Sequence, residues 1–350
     1  MNIIRTLCLS VALASCTVPA LACSRVVFHG DSTDVVIVGR TLDWRTPIPT
    51  NIYVYPAGMA KESMPSGPRY EWVSKYGSVL AVGYDGGVTE GMNDRGLAVN
   101  GLFCHGAKYY TVPAQSGEKV MSLAVIVSYM LDNFSTVDEV EAWLRTDTFG
   151  INDKATFDGG TVSLLHWGIT DRSGKTLIME YNSEGQLNLY ASKDYQVLTN
   201  DPVFPDQLAI SRYWSNEVGG VNMLPGTVRS ADRFARGTFF VHHQPSTAIQ
   251  APQALAQIIS LMDNLAVPAY YFVPDKPNLS MTQWRSVSDL KDLRYYFKFF
   301  DSLGNFYIDL NHLLLTPGSP VLKLDTSDHS DFFGCVNDRL RVSAPFTPMW

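Results

Sequence analysis

Short apolar runs alternate with polar turns along most of the chain. Val26-Val27-Phe28 and residues 35–38 are apolar runs on either side of a polar stretch at 31–34, which predicts a β-hairpin. Residues 161–182, broken at 171–175, predict another, and strands follow at 187–192 and 195–199. Residues 283–309 return to strands rich in Tyr and Phe. Between these blocks, 117–133 predicts a long apolar helix. Ser135-Thr-Val-Asp138 predicts a capping box opening a second helix that runs to about Arg145. Residues 251–265 predict an amphipathic helix. This order of elements predicts an α+β fold of two packed antiparallel sheets with helices outside.

The first 22 residues have a different pattern. Arg5, an apolar stretch at 7–14 and the small-residue end Ala20-Leu21-Ala22 are the successive parts of a secretory signal peptide. The apolar stretch is too short to span a bilayer. The longest later run, near 121–131, is interrupted by Ser122 and Ser128. The expected product is therefore exported, periplasmic or secreted, with no stable membrane span. No linker, repeat or low-complexity run divides residues 23–350, which predicts a single domain. A second reading stays open: Leu13-Ala14-Ser15-Cys16 also fits a lipoprotein signal cut before Cys16.

Composition narrows the function classes. The 350 residues are 46% hydrophobic and 12% aromatic, which excludes a disordered or fibrous chain. A net charge of −7 without a Lys/Arg run gives no footprint for nucleic acid. Without His-Glu-x-x-His or paired Cys-x-x-Cys, neither a metal ion nor another cofactor is expected. None of the seven histidines is paired with a cysteine by sequence spacing. A cut after Ala22 removes Cys8 and Cys16 and leaves Cys23, Cys104 and Cys335. Cys104 and Cys335 read as buried free thiols or as a disulfide pair.

That cut makes Cys23 the first residue. An N-terminal cysteine carries a nucleophile and a base together, because its α-amine, with an ordinary pKa near 8, can take the thiol proton. The hairpin returns Arg40 and Asp43 toward Cys23, where a cation favours the thiolate and a carboxylate can orient the amine. The plainer reading of the two is a solvated ion pair.

Cys23 followed by a hairpin ending Gly39-Arg40-Thr41-Leu42-Asp43-Trp44 resembles the choloylglycine hydrolase family, which holds bile salt hydrolases and penicillin V acylases among the N-terminal-nucleophile (Ntn) hydrolases. The resemblance continues in order through Glu90-Gly-Met-Asn93-Asp-Arg-Gly96-Leu, Val197-Leu-Thr-Asn200-Asp-Pro202, Ser230-Ala-Asp-Arg233-Phe-Ala-Arg236, Trp284-Arg-Ser-Val-Ser-Asp-Leu and Arg294-Tyr-Tyr-Phe. It implies a four-layer αββα sandwich and cleavage of linear non-peptide amides through a thioester on Cys23. It further implies that Arg40 lies beside the thiol, Asp43 bonds the α-amine, Asn200 stabilises the oxyanion and Arg233 belongs to the same site. By themselves, Asn200 also reads as a turn residue and Arg233 as a helix-surface charge. The residue after Gly101-Leu102, usually Asn in bile salt hydrolases and Tyr in many penicillin acylases, is Phe103 here. Phe103 keeps a main-chain N–H but offers no side-chain donor, and with Trp44 it suggests an aromatic or fatty acyl pocket. Penicillin V, conjugated bile acids and N-acyl homoserine lactones are the substrates to weigh. Many family members are tetramers, so the resemblance brings in a homotetramer as an assembly to test. The alternatives are a non-catalytic, lipid-anchored binding protein matured at Cys16, and an N-acylethanolamine or ceramide-type amidase.

Overall fold

The computed structural model describes residues 23–30, 34–113, 115–154, 163–245, 249–270, 273 and 280–350. The expected signal peptide and the lipoprotein motif lie outside these residues. The strands in chain order are β1 (Ser24–His29), β2 (Val36–Trp44), β3 (Thr50–Tyr55), β4 (Ala60–Glu62), β5 (Glu71–Val73), β6 (Ser78–Gly83), β7 (Gly87–Asn93), β8 (Ala98–Phe103), β9 (Val120–Ser122) and β10 (Gly150–Asn152). They continue as β11 (Leu165–Thr170), β12 (Thr176–Tyr181), β13 (Leu187–Ser192), β14 (Val197–Leu198), β15 (Met281–Asp289), β16 (Arg294–Phe299), β17 (Phe306–Asp309), β18 (Leu322–Leu324), β19 (Gly334–Cys335) and β20 (Arg341–Val342). Helices are α1 (Ile126–Asn133), α2 (Val137–Thr146), α3 (Phe204–Arg212), α4 (Ser230–His242) and α5 (Ala251–Leu265).

Two large sheets organise these elements. The first runs β14-β1-β2-β15-β16-β17-β19, and the second β13-β12-β11-β8-β7-β6-β3-β18-β20. Neighbours in both are antiparallel except β17 and β19. A layer of Val36, Val38, Ile52, Val79, Met92, Trp284 and Phe297 is buried where the sheets face each other. Helices α4 and α5 cover the first sheet through Phe234, Ile258 and Met262, while α1 and α2 cover the second through Ile126, Met130, Val140 and Trp143. Strands buried on both faces explain the near-continuous apolar runs, and the result is the αββα sandwich that the motifs implied.

The predicted helix at 117–133 forms only in its second half. Its first half contains β9, which pairs in parallel with β10 from Val120↔Gly150 to Ser122↔Asn152. An apolar run buried on all sides has no amphipathic period, so it does not distinguish helix from strand. The second predicted helix is present, but its cap is one residue later. Thr136 Oγ1 accepts the Glu139 N–H at 3.2 Å, and Glu139 returns a carboxylate oxygen to the Thr136 N–H at 3.1 Å. Glu139 accepts the Ser135 N–H as well, and the Val137 N–H, one of the orphan donors of that end, goes to Asp171 at 2.8 Å.

Gly91 shows how closely α1 lies on the second sheet. A Cβ there would press on the Val79 carbonyl oxygen and sit 2.8 Å from Leu80 Cδ2 and 3.0 Å from Leu131 Cδ1. Gly91→Ala should lower the unfolding free energy by about 1–3 kcal/mol, because backbone cannot yield as a flexible side chain can. Chemical denaturation of the two proteins checks it; a change under about 0.5 kcal/mol is outside the range expected for such a clash.

Candidate active site

The β1–β2 hairpin builds the site. Its register places Ser24 opposite Thr41 and Arg25 opposite Arg40, so the strand end returns beside Cys23. The Ser24 N–H donates to Thr41 Oγ1 at 3.0 Å, and the Cys23 thiol lies 3.8 Å from the main-chain oxygen of Asp43. Cys23 is 4% exposed and lines a cavity of about 70 Å³. On the same measure one water needs roughly 10–15 Å³, so the cavity has room for a small cluster of atoms beside the thiol.

Asn200 and Arg233 reach the cysteine from the other side. Asn200 follows β14, the edge strand paired with β1, and Arg233 projects from the first turn of α4. The main-chain nitrogen of Cys23 donates to Asn200 Oδ1. Arg233 Nη2 donates to that same oxygen at 3.0 Å, while Arg233 Nη1 donates to the Cys23 carbonyl at 2.6 Å and to Ser24 Oγ. Two donors on Oδ1 fix the orientation of the amide, and Asn200 Nδ2 donates to the Phe103 carbonyl at 2.8 Å. Neither Asn200 nor Arg233 is a surface residue: both are fully buried.

Asp43 is held differently from the resemblance. Its carboxylate accepts Thr282 Oγ1 at 2.5 Å and Thr41 Oγ1 at 3.2 Å, and Arg233 Nη1 stands 4.0 Å away. The Cys23 nitrogen, with the preceding residue attached, is bonded to Asn200 instead. Burial pushes the Asp43 carboxyl up to about 6, against the pull of Arg233, Thr282, Arg40 and Thr41. Burial also lowers the Arg233 guanidinium, against the attraction of Asp43 and Cys23.

Arg40 lines the cavity with Cys23, but its own bonds run elsewhere. Arg40 Nη2 donates to the Gly101 carbonyl at 2.8 Å, Nε stands 3.2 Å from Glu90 Oε2, and the guanidinium lies 4.6 Å over the Trp284 ring. Glu90 is buried and also accepts Tyr295 Oη at 2.6 Å, Ser286 Oγ and Asn100 Nδ2. Arg25, opposite Arg40 in the register, donates to Asn100 Oδ1 at 2.8 Å and Thr170 Oγ1 at 2.7 Å. Burial lowers Arg25 to about 9, with Glu90 pulling the other way. Glu90 is thus the anion between two arginines that would otherwise repel one another in the intersheet layer. In the sequence Glu90 stands only as the first residue of the Glu90-Gly-Met-Asn93 motif.

Trp44 and Phe103 converge as expected, with ring centroids 5.6 Å apart at 59°. Leu42, Ile48, Val88, Leu123 and Leu165 complete an apolar lining. Strand β7 pairs with β8 only as far as Glu90↔Asn100, so residues 101–103 extend past it along the cavity.

A histidine does pair with a cysteine, although no sequence spacing pairs them. Cys104, His166 and Glu180 come from the residue after β8, from β11 and from β12 respectively, and their ligating atoms lie within 4.8 Å of one another. These residue types can ligate a metal ion, but both ring nitrogens are already engaged: Nδ1 lies 2.9 Å from Glu180 Oε2 and Nε2 2.7 Å from the Thr199 carbonyl. Burial alone would lower His166; Cys104 and Glu180 outweigh it and hold the imidazole at about 10. All three cysteines among the described residues are free. Cys104 is buried as expected, whereas Cys335 is exposed on the short edge strand β19. Among the described residues no helix is long and apolar enough to cross a membrane.

Comparison with known proteins finds relatives that cover most of the chain. The family model described as linear amide C–N hydrolases, choloylglycine hydrolase family, matches residues 23–331. A penicillin V acylase of Pectobacterium atrosepticum is 35% identical, over 96% of this chain and 94% of its own length. A bile salt hydrolase/transferase of Bifidobacterium longum is 28% identical over 64% of this chain and 75% of its own. The solved structure of penicillin V acylase from Agrobacterium tumefaciens superposes with a TM-score of 0.84 at 35% identity, covering 93% of this chain and 99% of the other.

Proposed function

Because the chain belongs to the choloylglycine hydrolase family, amidases that cut non-peptide C–N bonds in linear amides, we propose that Cys23 is the nucleophile of an exported amidohydrolase. The convergence of Arg233, Asn200 and Asp43 on the first residues of β1 carries this reading. The family match also begins at Cys23. Removal of residues 1–22 turns the nitrogen now bonded to Asn200 into an α-amine with a lone pair.

The thiol proton passes to that amine, and the thiolate attacks the amide carbonyl carbon. A C–S bond forms as the carbonyl π pair moves onto oxygen. The oxyanion takes the second Asn200 Nδ2 hydrogen and the Phe103 main-chain N–H, donors held side by side by the Asn200–Phe103 bond. Collapse breaks the C–N bond, and the ammonium of Cys23 gives its proton to the departing amine. Water then attacks the thioester, delivers a proton through the same amine, and releases the acid with the thiol restored. Asp43 keeps a negative charge near the transient ammonium, while Arg233 holds the Cys23 carbonyl and Ser24 in place. Arg40, anchored by Glu90, supplies positive charge on the cavity side of the thiolate.

The Trp44–Phe103 wall and the apolar lining favour an aromatic or fatty acyl group over a requirement for a steroid. A substrate panel of penicillin V, taurocholate and long-chain N-acyl homoserine lactones tests the assignment. The expected order of kcat/KM places penicillin V or the acyl homoserine lactone first and taurocholate at least ~10-fold lower, the scale set by a missing pocket contact of about 1.4 kcal/mol. Taurocholate as the best substrate would overturn the acyl-pocket assignment.

A further inference from the structure

The cluster of Cys104, His166 and Glu180 is spent on no step of that reaction, yet it holds the residues on either side of Asn200. All three side chains are buried. His166 Nε2 meets the Thr199 carbonyl, one residue before Asn200. Glu180 accepts the Phe204 N–H on both carboxylate oxygens, at 3.0 and 3.1 Å, at the start of α3 and four residues after Asn200. Asn200 Nδ2 rests on the carbonyl of Phe103, the residue before Cys104. The short link from β14 to α3 is therefore pinned upstream by His166 and downstream by Glu180. The carbonyl that orients the Asn200 amide lies one peptide from the third member.

The bonding pattern also fixes what the ring carries. A backbone carbonyl only accepts, so Nε2 is a donor. A carboxylate that already accepts the Phe204 N–H accepts a second hydrogen bond, from the Nδ1 hydrogen. The unit is an imidazolium between the Glu180 carboxylate and the Cys104 sulfur. Simple packing does not account for it, since apolar side chains of similar volume fill such a space at no desolvation cost.

We propose that Cys104, His166 and Glu180 form a positioning unit that sets Asn200 at the height of the developing oxyanion. The unit touches neither substrate nor the reacting atoms. Its place in the enzyme rests on the reading that Asn200 donates to that oxyanion. His166 supplies the rigid peg under Thr199, Glu180 aligns the ring and the α3 entry together, and Cys104 closes the remaining side of the imidazolium.

The test uses the processed enzyme and the variants His166→Phe, Glu180→Gln and Cys104→Ala. Three quantities are measured: kcat and KM on penicillin V, the dissociation constant of phenoxyacetate, and that of phenoxyacetaldehyde. The aldehyde adds the Cys23 sulfur to its carbonyl carbon, and the thiol proton ends on the new hydroxyl. That adduct needs the oxyanion donors, and the carboxylic acid does not. In His166→Phe, kcat and aldehyde affinity should fall together by about 10- to 100-fold, the scale of a displaced oxyanion donor. KM and phenoxyacetate affinity should stay within about 3-fold, as for a group felt only in the transition state. Glu180→Gln keeps the shape and one of the two acceptor oxygens without the charge, and should show the same split at smaller size. It decides the matter if His166→Phe does not fold. Variants with lowered Tm but with kcat and aldehyde affinity unchanged per folded molecule would overturn the proposal. A wild-type enzyme that hydrolyses penicillin V without binding the aldehyde would instead overturn the oxyanion reading, and this proposal with it.

Discussion

Cys23→Ala protein should fold, retain the cavity and hydrolyse amides at least ~10⁴-fold more slowly than the processed wild type, as expected when the nucleophile of a covalent mechanism is removed. The side chain is small and sits among Val26, Leu198 and Phe234. Its loss should cost of order 1 kcal/mol, a little more than one buried methylene. The effect on rate is thus separable from an effect on folding. Cys23→Ser retains a hydroxyl beside the same amine and should recover little, since a hydroxyl holds its proton far more tightly than a thiol. Steady-state rates on penicillin V, with circular dichroism to confirm the fold, check both variants. Activity within about 10-fold of wild type in Cys23→Ala would leave the site without its nucleophile.

Asn200→Asp is the second substitution with a large expected effect. The new side chain fills the same space and presents two acceptors, so Arg233 Nη2 and the Cys23 nitrogen keep a partner. It replaces the donor facing the oxyanion with an oxygen, and it sets that oxygen against the Phe103 carbonyl. The expected loss is about 10²–10³-fold in kcat with a smaller change in KM, the signature of an interaction made in the transition state. Asn200→Ala should lose rate similarly but also stability, by about 1–3 kcal/mol, because it strips a buried arginine N–H of its acceptor. Thermal melts and kinetics on the pair separate the two effects. A rise in KM alone would assign Asn200 to ground-state binding instead.

The sequence was informative wherever chemistry follows local order. The β1–β2 hairpin, the capped α2 and the amphipathic α5 at Ala251–Leu265 all leave a periodic or capping pattern that survives burial. The convergence of Arg40 and Asp43 on Cys23 followed from a hairpin whose strands must return. Where the pattern ran out, long-range contacts had decided the structure. Residues 120–122 became a strand because β10 offers them a partner about thirty residues away. His166 and Cys104 meet because β11 pairs with β8, placing Leu165 opposite Phe103 and His166 opposite Leu102, and no sequence spacing expresses that register. Glu90 was recognisable as part of a motif, but its bonds to Arg40, Ser286 and Tyr295 cross from one sheet to the other. Asp43 lies near Cys23 through the same hairpin, its main-chain oxygen 3.8 Å from the thiol. Its two hydroxyl partners, Thr41 and Thr282, were legible only in part, since Thr282 arrives from β15, more than 200 residues away.

The mechanism turns on the main-chain nitrogen of Cys23, which serves as base only when nothing is attached to it. The most direct measurement is intact mass and N-terminal sequence of the exported protein, set beside the activity of a form retaining residues 1–22 through a blocked cleavage site. The expected result is an active chain beginning at Cys23 and a leader-bearing form that folds but does not turn over. Full activity with any residue ahead of Cys23, or a lipidated chain beginning at Cys16 that hydrolyses amides equally well, would contradict it.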